Sequence, residues 1–261
     1  DITGDFQEAV RQFSRVLAVR GQVLPSTLAT VQLEAEFEDG SRVVGESAIP
    51  QVRKPIRSLH LVPRVVRAVP EAVEALESAD VVVLGPGSLY TSVIPNLLVP
   101  ELAAALRSTQ ALRLYVCNVM TQPGETDGYA ASDHLKALLR HAGPGVVDCV
   151  LVNDGRVPPE LLARYRQEGA SPVEPDVPEL LAMGVVVISG PLLAAGQVVR
   201  HDSARLAQVV AALAVLGRSF APAGTHLPLG RVLAMAQRRG RAGRSRGAGR
   251  AGRTTSGGGL A

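Results

Sequence analysis

Val81-Val82-Val83-Leu84-Gly85-Pro86-Gly87-Ser88-Leu89-Tyr90-Thr91-Ser92 is the stretch that decides the fold. Three valines and a leucine make a short buried-strand pattern, two glycines follow, and the helix-like run Leu97 to Leu106 comes next. Strand, tight loop and helix in that order turn bare backbone N–H groups toward an anion. The loop therefore points to phosphate, although the same residues also serve an ordinary turn between strand and helix.

Working outward, the chain alternates from Pro70 onward. Helix patterns at Pro70 to Ser78, Leu97 to Arg107, Tyr129 to His141, Pro159 to Gln167 and Ser203 to Leu216 are interleaved with strand patterns. The strands read as Val81 to Leu84, Leu112 to Asn118, Val146 to Asn153 and Val185 to Ile188. This alternation predicts an α/β fold with a doubly wound, mostly parallel sheet. Upstream the period changes to two, with Val31, Leu33, Ala35 and Phe37 on one face, then Asp39-Gly40 and Arg42 to Val44. That pattern predicts an inserted antiparallel hairpin over residues from about Thr27 to Ile49, joined by a strand at Ile56 to Leu61. An amphipathic helix is expected over Phe6, Val10, Phe13 and Leu17, and the opening Asp1-Ile2-Thr3-Gly4-Asp5 reads as the start of a fragment of something longer.

Residues 1–220 are read as one α/β domain and residues 221–261, rich in Ala, Gly, Pro and Arg, as a disordered tail. Eight arginines follow Gly230 with no acidic residue among them. Removing their charges from the net +3 leaves −5 for residues 1–230, so the basic pI of 9.2 belongs to the tail and the body is mildly acidic. Without aromatic residues the tail reads as a solvating extension, not as a nucleic-acid site. Cys117 and Cys149 lie in apolar runs without metal-ligand spacing, as expected of reduced core thiols in a cytoplasmic protein, and no membrane-spanning stretch is visible.

In a parallel sheet ligands gather at the carboxyl ends of the strands. The candidate ligand-binding residues therefore come from the loops that follow strands: Gly85, Gly87, Ser88, Tyr90 and Thr91 from the first, Asn118, Thr121 and Gln122 from the second, and Asn153 from the third. Tyr165 and Arg200 add an aromatic face for a nucleobase and a guanidinium for phosphate oxygens. Asp133 and His134 are either an acid/base pair or structural residues at a helix start. No catalytic residue is assigned and no metal site is expected.

The runs Leu84 to Ser92, Ile94-Pro-Asn-Leu-Leu-Val-Pro100, Cys117-Asn-Val-Met-Thr-Gln-Pro-Gly-Glu-Thr-Asp-Gly-Tyr129 and Ser132-Asp133-His134 resemble the gluconeogenesis factor family. The likeness starts at Ile2 to Phe6 and Val19 to Pro25, continues through Gly45-Glu46-Ser47, and ends at Arg200-His201-Asp202 and the helix after it. That family is the regulatory branch of the CofD-like, 2-phospho-L-lactate transferase superfamily. The resemblance implies a Rossmann-like fold whose first strand, Gly-Gly-Gly-Thr-Gly loop and helix precede Asp1 and are missing here. It also implies a cytoplasmic bacterial regulator that binds UDP-sugars, notably UDP-N-acetylglucosamine, through Tyr165 and Arg200. Such a protein adjusts carbon flow into cell-wall precursors and influences cell shape under gluconeogenic growth without a required cofactor. Implied partners are enzymes of amino-sugar or cell-wall precursor synthesis, a Ser/Thr kinase and further copies of the chain. The alternative is a phospholactyl-type transferase that uses the same loops and a divalent metal.

Overall fold

A computed structural model describes residues 21–251, with side chains through residue 242; the helix expected over Phe6 to Leu17 lies outside the described residues. Strands β1 (Gln32–Phe37), β2 (Arg42–Val44) and β3 (Ile56–Val62) form an antiparallel sheet in the order β2-β1-β3. The predicted alternation sets its faces. Leu33, Ala35 and Phe37 of β1 and Ile56, Leu59 and Leu61 of β3 are buried, while Glu34 and Glu36 stand on the opposite face and pair with Arg42, Arg57 and Arg64. Asp39 closes the hairpin by accepting from the backbone N–H and hydroxyl of Ser41.

The second sheet carries the site. After helix α1 (Pro70–Ser78) come β4 (Val81–Leu84), a π-turn (Leu89–Val93), short helix α2 (Ile94–Leu97), α3 (Pro100–Ser108) and β5 (Leu112–Val116). Helix α4 (Ala131–Ala142) leads to β6 (Cys149–Asn153), α5 (Pro159–Gln167) and α6 (Val177–Ala182) to β7 (Val186–Gly190), and α7 (Ser203–Leu216) to β8 (His226–Pro228) and α8 (Leu229–Ala251). All five strands are parallel and lie in chain order, β4-β5-β6-β7-β8. The loops that leave their carboxyl ends therefore stand side by side along one rim.

Both faces of this sheet are covered. Leu112, Leu114 and Val116 pack with α7 and α8, whereas Tyr115, Cys117, Val150 and Val152 face α3, α4 and the antiparallel sheet. The single helix expected from Leu97 to Arg107 is in fact broken. Val99 precedes a proline, takes an extended backbone (φ −79°, ψ 113°), and α3 restarts at Pro100. Cys117 and Cys149 are buried free thiols, and burial pushes the Cys117 thiol up to about 12.

One expectation is corrected. Residues from 221 onward do not all lie outside the fold: β8 extends the parallel sheet, and Leu229, Val232 and Ala236 recur at helical spacing on the buried face of α8. Average composition conceals these few apolar residues, which suffice because α7 and β7 are already there to receive them.

Two polar contacts fasten these layers. At the amino ends of the strands Arg113, 3% exposed, donates to both carboxylate oxygens of Asp148 (2.9 and 2.6 Å) and to the carbonyls of Leu106, Arg107 and Gly145. Burial alone would raise the Asp148 pKa, but the Arg113 bonds, with Arg218 at 3.2 Å, hold it below the usual range. Between the sheets, His141 donates through Nδ1 to the Ala137 carbonyl (2.7 Å) and accepts at Nε2 from the Leu59 N–H (2.9 Å). Only a neutral imidazole can make both bonds.

Arg113→Ala should cost about 3 kcal/mol in urea denaturation, because Asp148 and three carbonyls lose their shared partner; Arg113→Lys should recover only part, lacking the planar fork. Burial also holds His134, His141 and His201 below the ordinary histidine value of 6.5. Groups with depressed folded values favour the fold while neutral, so this stability is full above that pH and is lost as pH falls below it. The thermal midpoint should drop between about pH 7 and pH 5, and less steeply in His141→Gln; equal slopes would exclude His141 as a contributor.

Candidate functional site

The rim of the parallel sheet folds into a cleft of about 490 Å³ between the loops that follow β4 and β5 on one side and the segment before α7 on the other. Gly85 starts the first loop at φ +82°, and a Cβ there would stand 3.1 Å from the Val116 carbonyl oxygen, so only glycine lets the loop cross the end of β5. The Ser88 carbonyl then accepts from the N–H groups of Ser92 and Val93, both at 3.0 Å, which starts the π-turn. Asn118, the second residue beyond β5, donates through Nδ2 to the Gly87 carbonyl at 3.0 Å and ties the two loops together. Its Oδ1 is buried with no partner among the described residues.

The opposite wall holds Tyr165 of α5 and the segment Val199 to Ser203. The Tyr165 hydroxyl accepts from the Val199 N–H at 3.2 Å, and the Arg164 guanidinium lies 5.3 Å from the ring centroid. Asp202 caps α7 by accepting from the Arg205 N–H at 3.0 Å. That cap leaves the two preceding side chains at the cleft. His201 donates through Nε2 to the Cys117 carbonyl at 3.2 Å and, with its pKa lowered by burial, stays neutral with Nδ1 as an acceptor. Arg200 is exposed, and its guanidinium has no protein partner among the described residues. One cation without a partner among the described residues, one aromatic ring and one neutral imidazole thus line the cleft with Gly87 and Asn118.

Of the residues singled out from the sequence, Gly87, Asn118, Tyr165 and Arg200 meet in this cleft. Met120, His201 and Ser203 join them; the adjacency of His201 and Ser203 to Arg200, just ahead of a helix, was the available signal. Gly85 lies beside the cleft and lines a larger hollow of about 680 Å³ along the edge of β4 that has no neighbouring strand among the described residues. That hollow is walled by apolar side chains of α1 and α3, with Gln22, Ser26, Ser92 and Asn96 as its polar residues and no charged side chain among its lining.

The remaining candidates point elsewhere. Ser88 donates to the Gln122 Oε1 and Thr91 to the Glu125 Oε1 at 3.0 Å, so neither hydroxyl is free for a phosphate in this arrangement. Tyr90 is fully buried, with its hydroxyl 2.7 Å from that of Tyr129 and its ring edge-on to His141. Thr121 is buried against Ser171, and Asn153 joins the ends of β6 and β7 by accepting from Gly155 and Leu192. Of the two readings of Asp133 and His134, the bonds in the structure are those of structural residues at a helix start. Asp133 accepts from the Ala130 N–H and pairs with Lys136, while His134 is fully buried, donates through Nδ1 to the Ala130 carbonyl, and packs on Tyr129. Among the described residues no group of three or more His, Cys, Asp or Glu side chains could hold a metal ion. No single described helix is long and apolar enough to cross a membrane.

Residues 1–193 match the family described as 2-phospho-L-lactate transferase CofD. The chain is 46% identical over 211 residues to a gluconeogenesis factor of Bacillus subtilis, covering 80% of this chain and 67% of that protein. It is 46% identical over 210 residues to the gluconeogenesis factor of Halalkalibacterium halodurans, covering 80% and 65%. Among solved structures, a crystal structure of a UPF0052-family protein from Bacillus halodurans superposes with a TM-score of 0.78 at 45% identity. That match covers 80% of this chain and 67% of the other. The chain thus spans about two thirds of the length of these relatives.

Proposed function

Because the chain belongs to the CofD family and aligns over 80% of its length with gluconeogenesis factors, we propose that it is a UDP-sugar-binding regulator and not a catalyst. In this reading it adjusts carbon flow into cell-wall precursors and influences cell shape under gluconeogenic growth. It works in the cytoplasm as a homo-oligomer, on enzymes of amino-sugar or cell-wall precursor synthesis and under a Ser/Thr kinase. The observation that carries the reading is the meeting of Tyr165 and Arg200 across one cleft from Gly87 and Asn118. A uracil ring stacks on an aromatic face, and an unpaired guanidinium binds diphosphate oxygens bidentately. UDP-N-acetylglucosamine supplies both groups and adds sugar hydroxyls for the His201 Nδ1.

The description of the matched family favours a second reading, a phospholactyl-type transferase acting in the same cleft. A divalent metal in such a reaction is not matched by the donor set among the described residues, where the cleft offers a neutral imidazole and no carboxylate cluster. Asp133 and His134 are engaged at the start of α4, away from the cleft lining.

Calorimetry on the full-length protein should detect UDP-N-acetylglucosamine, with Tyr165→Ala and Arg200→Ala each weakening binding by about tenfold or more. Uridine without phosphates should bind more weakly and lose its sensitivity to Arg200. Absence of heat and of a thermal shift at millimolar ligand would remove the proposal.

A further inference from the structure

We infer that Glu125 is a positioning residue: it closes the first loop's polar groups from within, and so gives the cleft its wall and leaves ligand charge to Arg200. The inference rests on the ligand reading above only in taking this cleft as the place of binding.

Glu125 lies in the loop after β5, outside the residues that line the cleft, and is 3% exposed. Its Oε1 accepts from the Thr91 hydroxyl at 3.0 Å and from the Gln122 Nε2 at 2.6 Å, and the Gln122 Oε1 in turn accepts from the Ser88 hydroxyl. Its Oε2 is buried with no partner among the described residues. Burial, the largest influence, raises the Glu125 pKa, and the Thr91 hydroxyl opposes the rise. The two hydroxyls that the sequence offers to an anion are thus already engaged within the chain, Thr91 by the Glu125 carboxyl and Ser88 by Gln122, which Glu125 itself holds.

Two consequences follow from the geometry. A phosphate cannot take those two hydroxyls without displacing Glu125 and Gln122, and a buried donor or acceptor stripped of its partner costs more than the bond itself gains. The cation across the cleft, Arg200, is the group left to meet the ligand's charge. Held from behind by Glu125 and from the side by Asn118, the loop serves as a rigid surface against which the ligand is placed.

Two measurements on Glu125→Ala and Glu125→Gln decide the matter. In hydrogen exchange without ligand, amides of Ser88 to Val93 should exchange about tenfold faster in Glu125→Ala, with α7 unchanged. Titrated with UDP-N-acetylglucosamine, the same variant should bind about tenfold more weakly. Glu125→Gln keeps the Oε1 acceptor and should stay near wild type in both, as should Ser88→Ala in affinity. If Glu125→Ala does not fold, Thr91→Val, which removes one donor and keeps the shape, should show the same exchange change in smaller degree. A folded Glu125→Ala with wild-type exchange and affinity overturns the inference, and so does a Ser88→Ala that loses as much affinity as Arg200→Ala. A wild-type protein that fails to bind the nucleotide sugar defeats the functional reading, while the exchange data still decide the role of Glu125.

Discussion

Burial of both faces of the central strands governs this molecule. Every residue of β5 and β7 is buried, as are the first four of β6, so almost no polar side chain can sit along them without a partner. Polar chemistry is driven to the two ends of the sheet, and the ends are used differently. At the amino ends Arg113 gathers Asp148 and three carbonyls into a closed, satisfied cluster. At the carboxyl ends the groups are left partly open, with an exposed guanidinium lining a shared space and a buried amide oxygen that has no partner among the described residues. The first arrangement holds layers together; the second has bonds still to make.

The chain-order arrangement of the strands turns this division into a site. Since β4, β5, β6 and β7 are neighbours in the sheet as they are in the sequence, each loop finds the next one beside it. Residues as far apart as Gly87 and Arg200 then line one cleft, and Asn118 bridges what would otherwise be two independent loops. His201, anchored on the Cys117 carbonyl at the end of β5, ties the far wall to the middle of the sheet.

The strands of both sheets, the Asp39-Gly40 hairpin and the rim location were legible in the sequence because each is written in local pattern. Tyr165 and Arg200 were legible by residue type. The orientation of Ser88, Thr91 and Tyr90 was not, since a hydroxyl between strand and helix looks alike whether it faces a ligand or a carboxyl 34 residues away. Asp133 and His134 left two readings open for a related reason: a helix start uses the same residue types for capping and packing as acid/base chemistry does. The β8 and α8 region was misread because its apolar residues are few and only their spacing, not their number, marks a buried face.

Gly124 carries a consequence for how such a protein can vary. Its φ is +83°, and a Cβ there would stand 2.0 Å from the Pro50 carbonyl oxygen, so the 3-10 turn Ile49–Val52 lies directly on the loop whose first residues line the cleft. The hairpin tip is open, with nothing within 4 Å of a Cβ at Gly40, and can lengthen. The Ile49–Val52 turn has no such latitude, because it bears on the loop that carries Asn118, Val119 and Met120 to the cleft. Among related chains, drift in size should therefore collect at the hairpin tip, while the spacing between Pro50 and Gly124 stays fixed.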